Sequence, residues 1–193
     1  MNVQDILNAL QPFNNPKADL EQYTTHTPIV LDWMTRAQTD LQGAHVLDLG
    51  AGTGVLGIAA GLIGASQVTF LEVDADAIEV LKENTKKLQV PFSILHSPLK
   101  SVPCDVVLTN PPFGTKNRHA DKQFVLAACK SAPVVYSMHL AGSEEFIAKV
   151  AKETGHELTH IYPYSFMLTN TMPMHTQERK VVDVVVLRLA KPL

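Results

Sequence analysis

At 193 residues the chain has the length of about one domain, residues 1–193, and its 46% hydrophobic and 18% charged residues exclude a disordered or fibrous polymer. A formal net charge of −3 gives no whole-molecule attraction for a nucleic-acid backbone, so any such affinity must come from a local patch or a partner. Cys104 and Cys129 have neither a C-x-x-C partner nor a histidine at ligand spacing, which reads as buried thiols rather than metal ligands or a disulfide. The first residues carry no basic leader and no apolar run approaches about 18 residues, so the expectation is a cytoplasmic protein with no membrane partner.

Ile6, Leu7 and Leu10 have helical spacing, and Pro12, Asn14, Asn15 and Pro16 then break it, giving a short leading helix. Thr27 suits an N-cap and Pro28 the first helical position, with Ile29, Val30 and Trp33 on one apolar face. Gln22 and Thr25 therefore lie just ahead of a helix, where a ligand contact and a capping turn fit equally well.

His45 to Leu49 reads as a strand running into Gly50-Ala51-Gly52-Thr53-Gly54, and Val55, Leu56, Ile58, Ala59 and Ala60 follow as a helix. Strand, glycine turn and helix in that order form the first unit of a nucleotide-binding α/β sheet. Glycines let the backbone approach a ligand closely, and free N–H groups at the helix start face it. A second strand, Val68 to Leu71, ends in Glu72-Val73-Asp74, about 20 residues beyond the turn, where a carboxylate accepts hydrogen bonds from a ribose diol. Glu72 comes first after the apolar run and suits that role, whereas Asp74 suits the cap of a helix from Ala75 to Leu88. A third strand, Pro91 to Leu95, falls at a sheet edge in the usual order, and an apolar edge is an association hazard unless something covers it.

The next strand runs from Cys104 to Leu108 and is followed by Asn110-Pro111-Pro112-Phe113, which places these four residues beyond the carboxyl end of a strand, where open parallel sheets bind ligands. Proline has no N–H, so this corner offers acceptors only, and each proline pushes the residue before it into an extended conformation. Asn110 and the Pro111 carbonyl would accept both hydrogens of a planar NH2 group on a base or an amide, turning its lone pair toward an electrophile. Phe113 would give the ring a face to stack on. The alternative is a plain turn followed by a core aromatic.

The polar stretch from Gly114 to Lys122 is locally basic, and it fits a phosphate grip and a solvated loop equally well; Asp121 suits the cap of a helix from Lys122 to Lys130. A strand Pro133 to Met138, a helix Ser143 to Thr154, and strands Glu157 to Ile161 and Val181 to Leu189 complete the pattern, with Tyr162 to Lys180 as a connecting segment near the ligand side. His175 in that segment reads as an ordinary loop histidine. The expected fold is α/β, a seven-stranded, mostly parallel sheet with helices on both faces.

The glycine turn, the acidic end of the second strand and Asn110-Pro111-Pro112-Phe113, in this order, resemble class I S-adenosylmethionine-dependent methyltransferases acting on exocyclic amines. Leu20-Glu21-Gln22-Tyr23, the block from Asn110 to Asn117, and Val135-Tyr136-Ser137-Met138-His139 resemble the methyltransferase-like protein 5 family over nearly the whole chain. The resemblance implies S-adenosyl-L-methionine as cofactor and an adenine exocyclic amine in small-subunit ribosomal RNA as target. It also implies a small zinc-binding activator protein as partner, paired with the edge strand Pro91 to Leu95.

Carried over by position, it assigns Gln22, Thr25, Gly50 and Thr53 to the methionine part of the cofactor, Glu72 to the ribose and Val73 to the adenine. Asp48, Gly52, Ser97 and Asn110 complete its cofactor set, Asn110 to Phe113 form its catalytic motif, and Lys116, Arg118 and Lys122 face the RNA. His96-Ser97-Pro98 departs from the family's aspartate at the end of the third strand, which bears on the cofactor's adenine. The same corner would serve a methyltransferase for a release-factor glutamine, for guanine or for DNA adenine, and a silent cofactor-binding subunit of an RNA complex is the rival from another class.

Overall fold

The computed structural model describes residues 2–113, 120–168 and 180–192. Its elements run in the order α1 Val3–Asn8, a 3-10 turn Ala18–Leu20, α2 Thr27–Leu41, β1 His45–Leu49, α3 Val55–Ile63, β2 Gln67–Glu72 and α4 Ala75–Thr85. They continue with β3 Phe92–His96, β4 Val106–Thr109, α5 Ala120–Ser131, β5 Val134–Leu140, α6 Glu144–Lys152, β6 Glu157–Leu168 and β7 Lys180–Ala190. The strands form one seven-stranded sheet in the order β3-β2-β1-β4-β5-β7-β6, parallel except for β7, which runs antiparallel to both neighbours.

The central strands are apolar throughout because both their faces are covered. In β1 Val46 joins one core while Leu47 and Leu49 join the other; β4 splits Val106 and Leu108 from Val107, and β7 splits Val184 and Val186 from Val185, Leu187 and Leu189. Residues of α1, α2 and α3 fill the first core around the fully buried Trp33, and α5 and α6 cover the second.

Strand β3 lies at an edge, as its place in the sequence suggests, and Phe92 on it is 44% exposed. Asp74 caps α4, its carboxylate accepting the Asp76 N–H at 3.1 Å. Elsewhere the sequence reading needs correction. Helix α2 is capped by His26, because the Val30 N–H already bonds the His26 carbonyl, and Thr27 and Pro28 both stand inside the first turn. Residues 162–168 are not a connector but the second half of β6, paired with β7 from Lys180 onward. Tyr162 and Tyr164 point toward α2 in alternation, and Pro163 is tolerated because β6 is an edge strand. His175 lies outside the described residues.

Gly57 shows how tightly α3 sits on the sheet. A Cβ there would lie 2.4 Å from the Phe70 ring and 3.0 Å from both Asp48 and Val68. Gly57→Ala should therefore destabilise the fold by about 1–3 kcal/mol despite alanine's better helix propensity, seen as a lower urea midpoint at unchanged slope.

Candidate active site

The turn after β1 bends through three glycines with positive φ, Gly50 at +73°, Gly52 at +53° and Gly54 at +89°. All three are also places of close approach: a Cβ on Gly50 would lie 2.8 Å from the Phe124 ring, one on Gly52 2.6 Å from the Phe13 ring, and one on Gly54 2.3 Å from the Leu81 side chain. The Gly50 and Ala51 N–H groups donate to the Leu71 carbonyl, so the turn is stitched to the end of β2.

Glu72 completes the stitch. Its Oε2 accepts the Gly52 N–H at 2.6 Å, and its Oε1 accepts the N–H groups of Val73 and Asp74 at 2.8 and 2.9 Å. Asp48, fully buried on β1, accepts the Gly57 N–H on Oδ2 at 2.8 Å. Burial pushes its carboxyl up to about 8, the charge of Glu72 adds to this, and the Gly57 bond opposes it. The end of β3 is tied in as well: His96 Nε2–H donates to the Val73 carbonyl at 3.1 Å and the Ser97 N–H to the Glu72 carbonyl at 3.0 Å.

Across the cavity, Asn110 follows β4 and its carboxamide is held at both ends. Oδ1 accepts the Tyr23 hydroxyl at 2.8 Å, and Nδ2 donates to Thr25 Oγ1 at 3.0 Å. The first N–H after the two prolines, that of Phe113, donates to Glu21 Oε2 at 2.8 Å. The rim from Pro111 to Phe113 therefore directs no backbone N–H into the cavity. Pro111 is buried, Pro112 lines the cavity, and the Phe113 ring lies 5.7 Å from that of Tyr23, tilted by 40°.

Glycine turn, β2 and β3 ends, and Asn110 surround one cavity of about 300 Å³, within the range of small-molecule sites. Gln22, Thr25, Asp48, Gly50, Gly52, Thr53, Glu72, Val73, Ser97 and Asn110 all line it. Gln22 does so with its amide already engaged, donating to Asp74 at 2.7 Å and accepting the Lys17 N–H at 2.8 Å. Lys122 stands apart in an ion pair with Glu153 at 3.2 Å, and Lys116 and Arg118 lie outside the described residues.

The sequence reading passed over Phe13, Leu99 and Phe124, which supply apolar wall, and the contacts of Glu21 and Tyr23 with the Asn110 motif. Phe13 stands among chain breakers and Phe124 on a helix face, so neither carries a local signal. Glu21, the one non-glycine with positive φ among the described residues, carries no signal either, because a φ angle is invisible in sequence.

Among the described lining residues the cavity presents four acidic side chains, Asp19, Glu21, Asp48 and Glu72, and no lysine, arginine or histidine. Such a lining suits a ligand with positive charge and hydroxyl donors. No group of three or more histidine, cysteine or acidic residues among those described could hold a metal ion, and no described helix is long and apolar enough to cross a membrane.

The fold and this cavity define a class I methyltransferase, and residues 26–135 match the methyltransferase small domain. The crystal structure of PH1948 from Pyrococcus horikoshii superposes with a TM-score of 0.91 at 36% identity, covering 99% of this chain and 97% of that one. MJ0284 of Methanocaldococcus jannaschii is 32% identical over 96% of this chain and 91% of its own, and the rRNA N(6)-adenosine-methyltransferase Mettl5 of Drosophila melanogaster is 31% identical over 94% and 92%. The chain belongs to the methyltransferase small domain family and, within it, to the METTL5 family. Its cofactor is S-adenosyl-L-methionine, and the residues present fit that molecule: acidic groups for its positive charges and hydroxyls, and apolar walls for its base.

Asp48 predicts a pH signature. Its folded-state value of about 8 stands above the unfolded carboxylate value of about 3.9, so the folded state holds the extra proton between them. Stability of the free protein should fall as pH rises from about 4 to about 8 and level off above that. Asp48→Asn should remove this slope, matching the wild type in acid and exceeding it by a few kcal/mol at pH 8.5, as read by urea denaturation across pH. A constant difference at all pH values would contradict the assignment.

Proposed function

We propose that this chain methylates the N6 amine of an adenosine in RNA, and that the RNA is ribosomal RNA of the small subunit. The observation that carries this reading is the acceptor-only rim at Asn110, which shares one cavity with the glycine turn and Glu72. The activity named for its relative from Drosophila melanogaster supports the choice of adenosine and rRNA.

When bound, S-adenosyl-L-methionine supplies an electrophilic methyl group. The chain's own residues do the holding. Asn110 Oδ1 keeps a lone pair beyond the one given to Tyr23, and with the Pro111 carbonyl it accepts the two N–H bonds of the target amine. Both hydrogens then lie in the plane of these acceptors, and the nitrogen lone pair is drawn out of conjugation with the ring. No strong base is needed, since the methylated amine is acidic enough to lose its proton afterward. Positioning is the main contribution such a site makes.

An adenine must leave its stack to reach this depth, and Phe113 with Pro112 offers the compensating contact. Glu72 receives the ribose, Val73, Ser97 and Leu99 the cofactor's adenine, and Gln22, Thr25, Asp48, Gly50, Gly52 and Thr53 its methionine part. Lys116, Arg118 and Lys122 meet RNA phosphates. Residues 1–193 act as one domain in the cytoplasm.

Asn110→Ala should leave cofactor affinity by calorimetry within about twofold and cut methyl transfer to ribosomal RNA by about a hundredfold or more, the scale seen when one preorganised polar group is removed from a site. Comparable transfer by that variant would refute the role. Parallel assays on DNA and a release factor separate RNA adenosine from other planar NH2 targets.

The small zinc-binding activator is proposed to pair with β3. Support comes from the position of β3 at the sheet edge and from Phe92, exposed on it. Adding the activator should protect the β3 amides from hydrogen exchange and raise the melting temperature, while a fully active protein with unprotected β3 amides would remove the need for it.

A further inference from the structure

We propose that Tyr23 is a positioning residue that selects the reactive orientation of the Asn110 carboxamide. The inference rests on the reading of Asn110 as acceptor for the target amine and adds what makes it an acceptor there.

A carboxamide can sit in either of two orientations related by a half-turn, with nearly identical shape. In one, Oδ1 lies on the Tyr23 side; in the other, Nδ2 lies there and brings N–H groups to where an incoming NH2 also brings N–H groups. The second arrangement sets donor against donor and blocks the site. The choice falls to the two hydroxyls that touch the carboxamide, Tyr23 at 2.8 Å and Thr25 at 3.0 Å.

These hydroxyls are not equivalent. A phenol shares its oxygen lone pairs with the ring and is the stronger donor, whereas an aliphatic alcohol is the better acceptor. The pairing with Tyr23 donating to Oδ1 and Thr25 accepting from Nδ2 is thus favoured over its reverse. Burial keeps the Tyr23 phenol protonated well beyond its ordinary range, so the donor persists at any working pH. Thr25 is 4% exposed, and the Tyr23 ring is braced against Phe113. Neither hydroxyl can swing away without disturbing packing.

The test uses the full chain with ribosomal RNA. Tyr23→Phe keeps the ring and removes only the donor. It should lower kcat by about tenfold, the upper end for one neutral hydrogen bond, while the KM for RNA and the cofactor Kd stay within about twofold. The same substitution in an Asn110→Asp background should cost nothing further, because a carboxylate presents an oxygen whichever way it is turned. An equal loss in both backgrounds, or no loss in the first, overturns the proposal.

A second readout is independent of turnover. The Asn110 side-chain NH2 signals in 15N-asparagine-labelled protein, assigned by their disappearance in Asn110→Ala, should shift in Tyr23→Phe. Unshifted signals overturn the proposal. Shifted signals in a protein that does not methylate adenosine would instead leave the positioning intact and refute the functional reading.

Discussion

Residues 17–25 are a strap fastened at both ends by polar bonds, and the geometry of the site depends on that fastening. At one end Lys17 Nζ meets Asp74 at 2.5 Å and Asp76 at 3.0 Å, and Gln22 donates to Asp74 as well. Gln22 and Lys17 hold the Asp74 carboxyl below its usual range although burial opposes them. At the other end Glu21, Tyr23 and Thr25 hold Phe113 and Asn110. Asp74 is two residues from Glu72 and its ladder of backbone donors, so one short strap bridges the edge of the proposed ribose site and the proposed target site. A segment with little apolar core of its own is fixed mainly by such bonds, and local opening there would disorder both halves of the cavity together.

The charge pattern of the cavity has the same logic. Asp48 is fully buried, and the charge of Glu72 beside it adds to the cost of ionising it. A core built for stability alone would not keep such a pair. A cavity built for a positively charged ligand gains from it, because the ligand's charge replaces the solvation that the carboxylates lost on folding. Site and fold thus pull in opposite directions at Asp48, the usual mark of a position kept for chemistry.

How much of this was legible in the sequence follows from the range of each signal. The glycine turn, Glu72 and the Asn110 motif are local patterns tied to strand ends, and the fold brings them around one cavity. The central strands were legible too, because burial on both faces leaves continuous apolar runs. Tyr23 and Glu21 could not be placed from local pattern, because their partners are 87 and 92 residues away in the chain. The second half of β6 does not read as a strand because Pro163 is a chain breaker in local pattern, and only the pairing with β7 shows that this proline stands on an edge strand.

The two edges of the sheet differ in a way that bears on the proposed partner. Strand β6 carries a proline in its middle, which removes one donor from the row that another strand would need, and β6 ends its parallel neighbourhood beside an antiparallel β7. Strand β3 has no proline within it, its residues Phe92, Ile94 and Leu95 are apolar, and its inner pairing with β2 is regular and parallel from Phe92 to His96. Interruption by proline and inward or outward charge are the ordinary ways a protein blunts an edge, and β3 uses neither. An unblunted edge in a chain whose other edge is blunted is better explained by occupation than by neglect, since a bare apolar edge would favour pairing between copies of the chain. The proposed activator would then serve two ends at once, sealing β3 and steadying the β2–β3 corner where His96 and Ser97 bond to Val73 and Glu72.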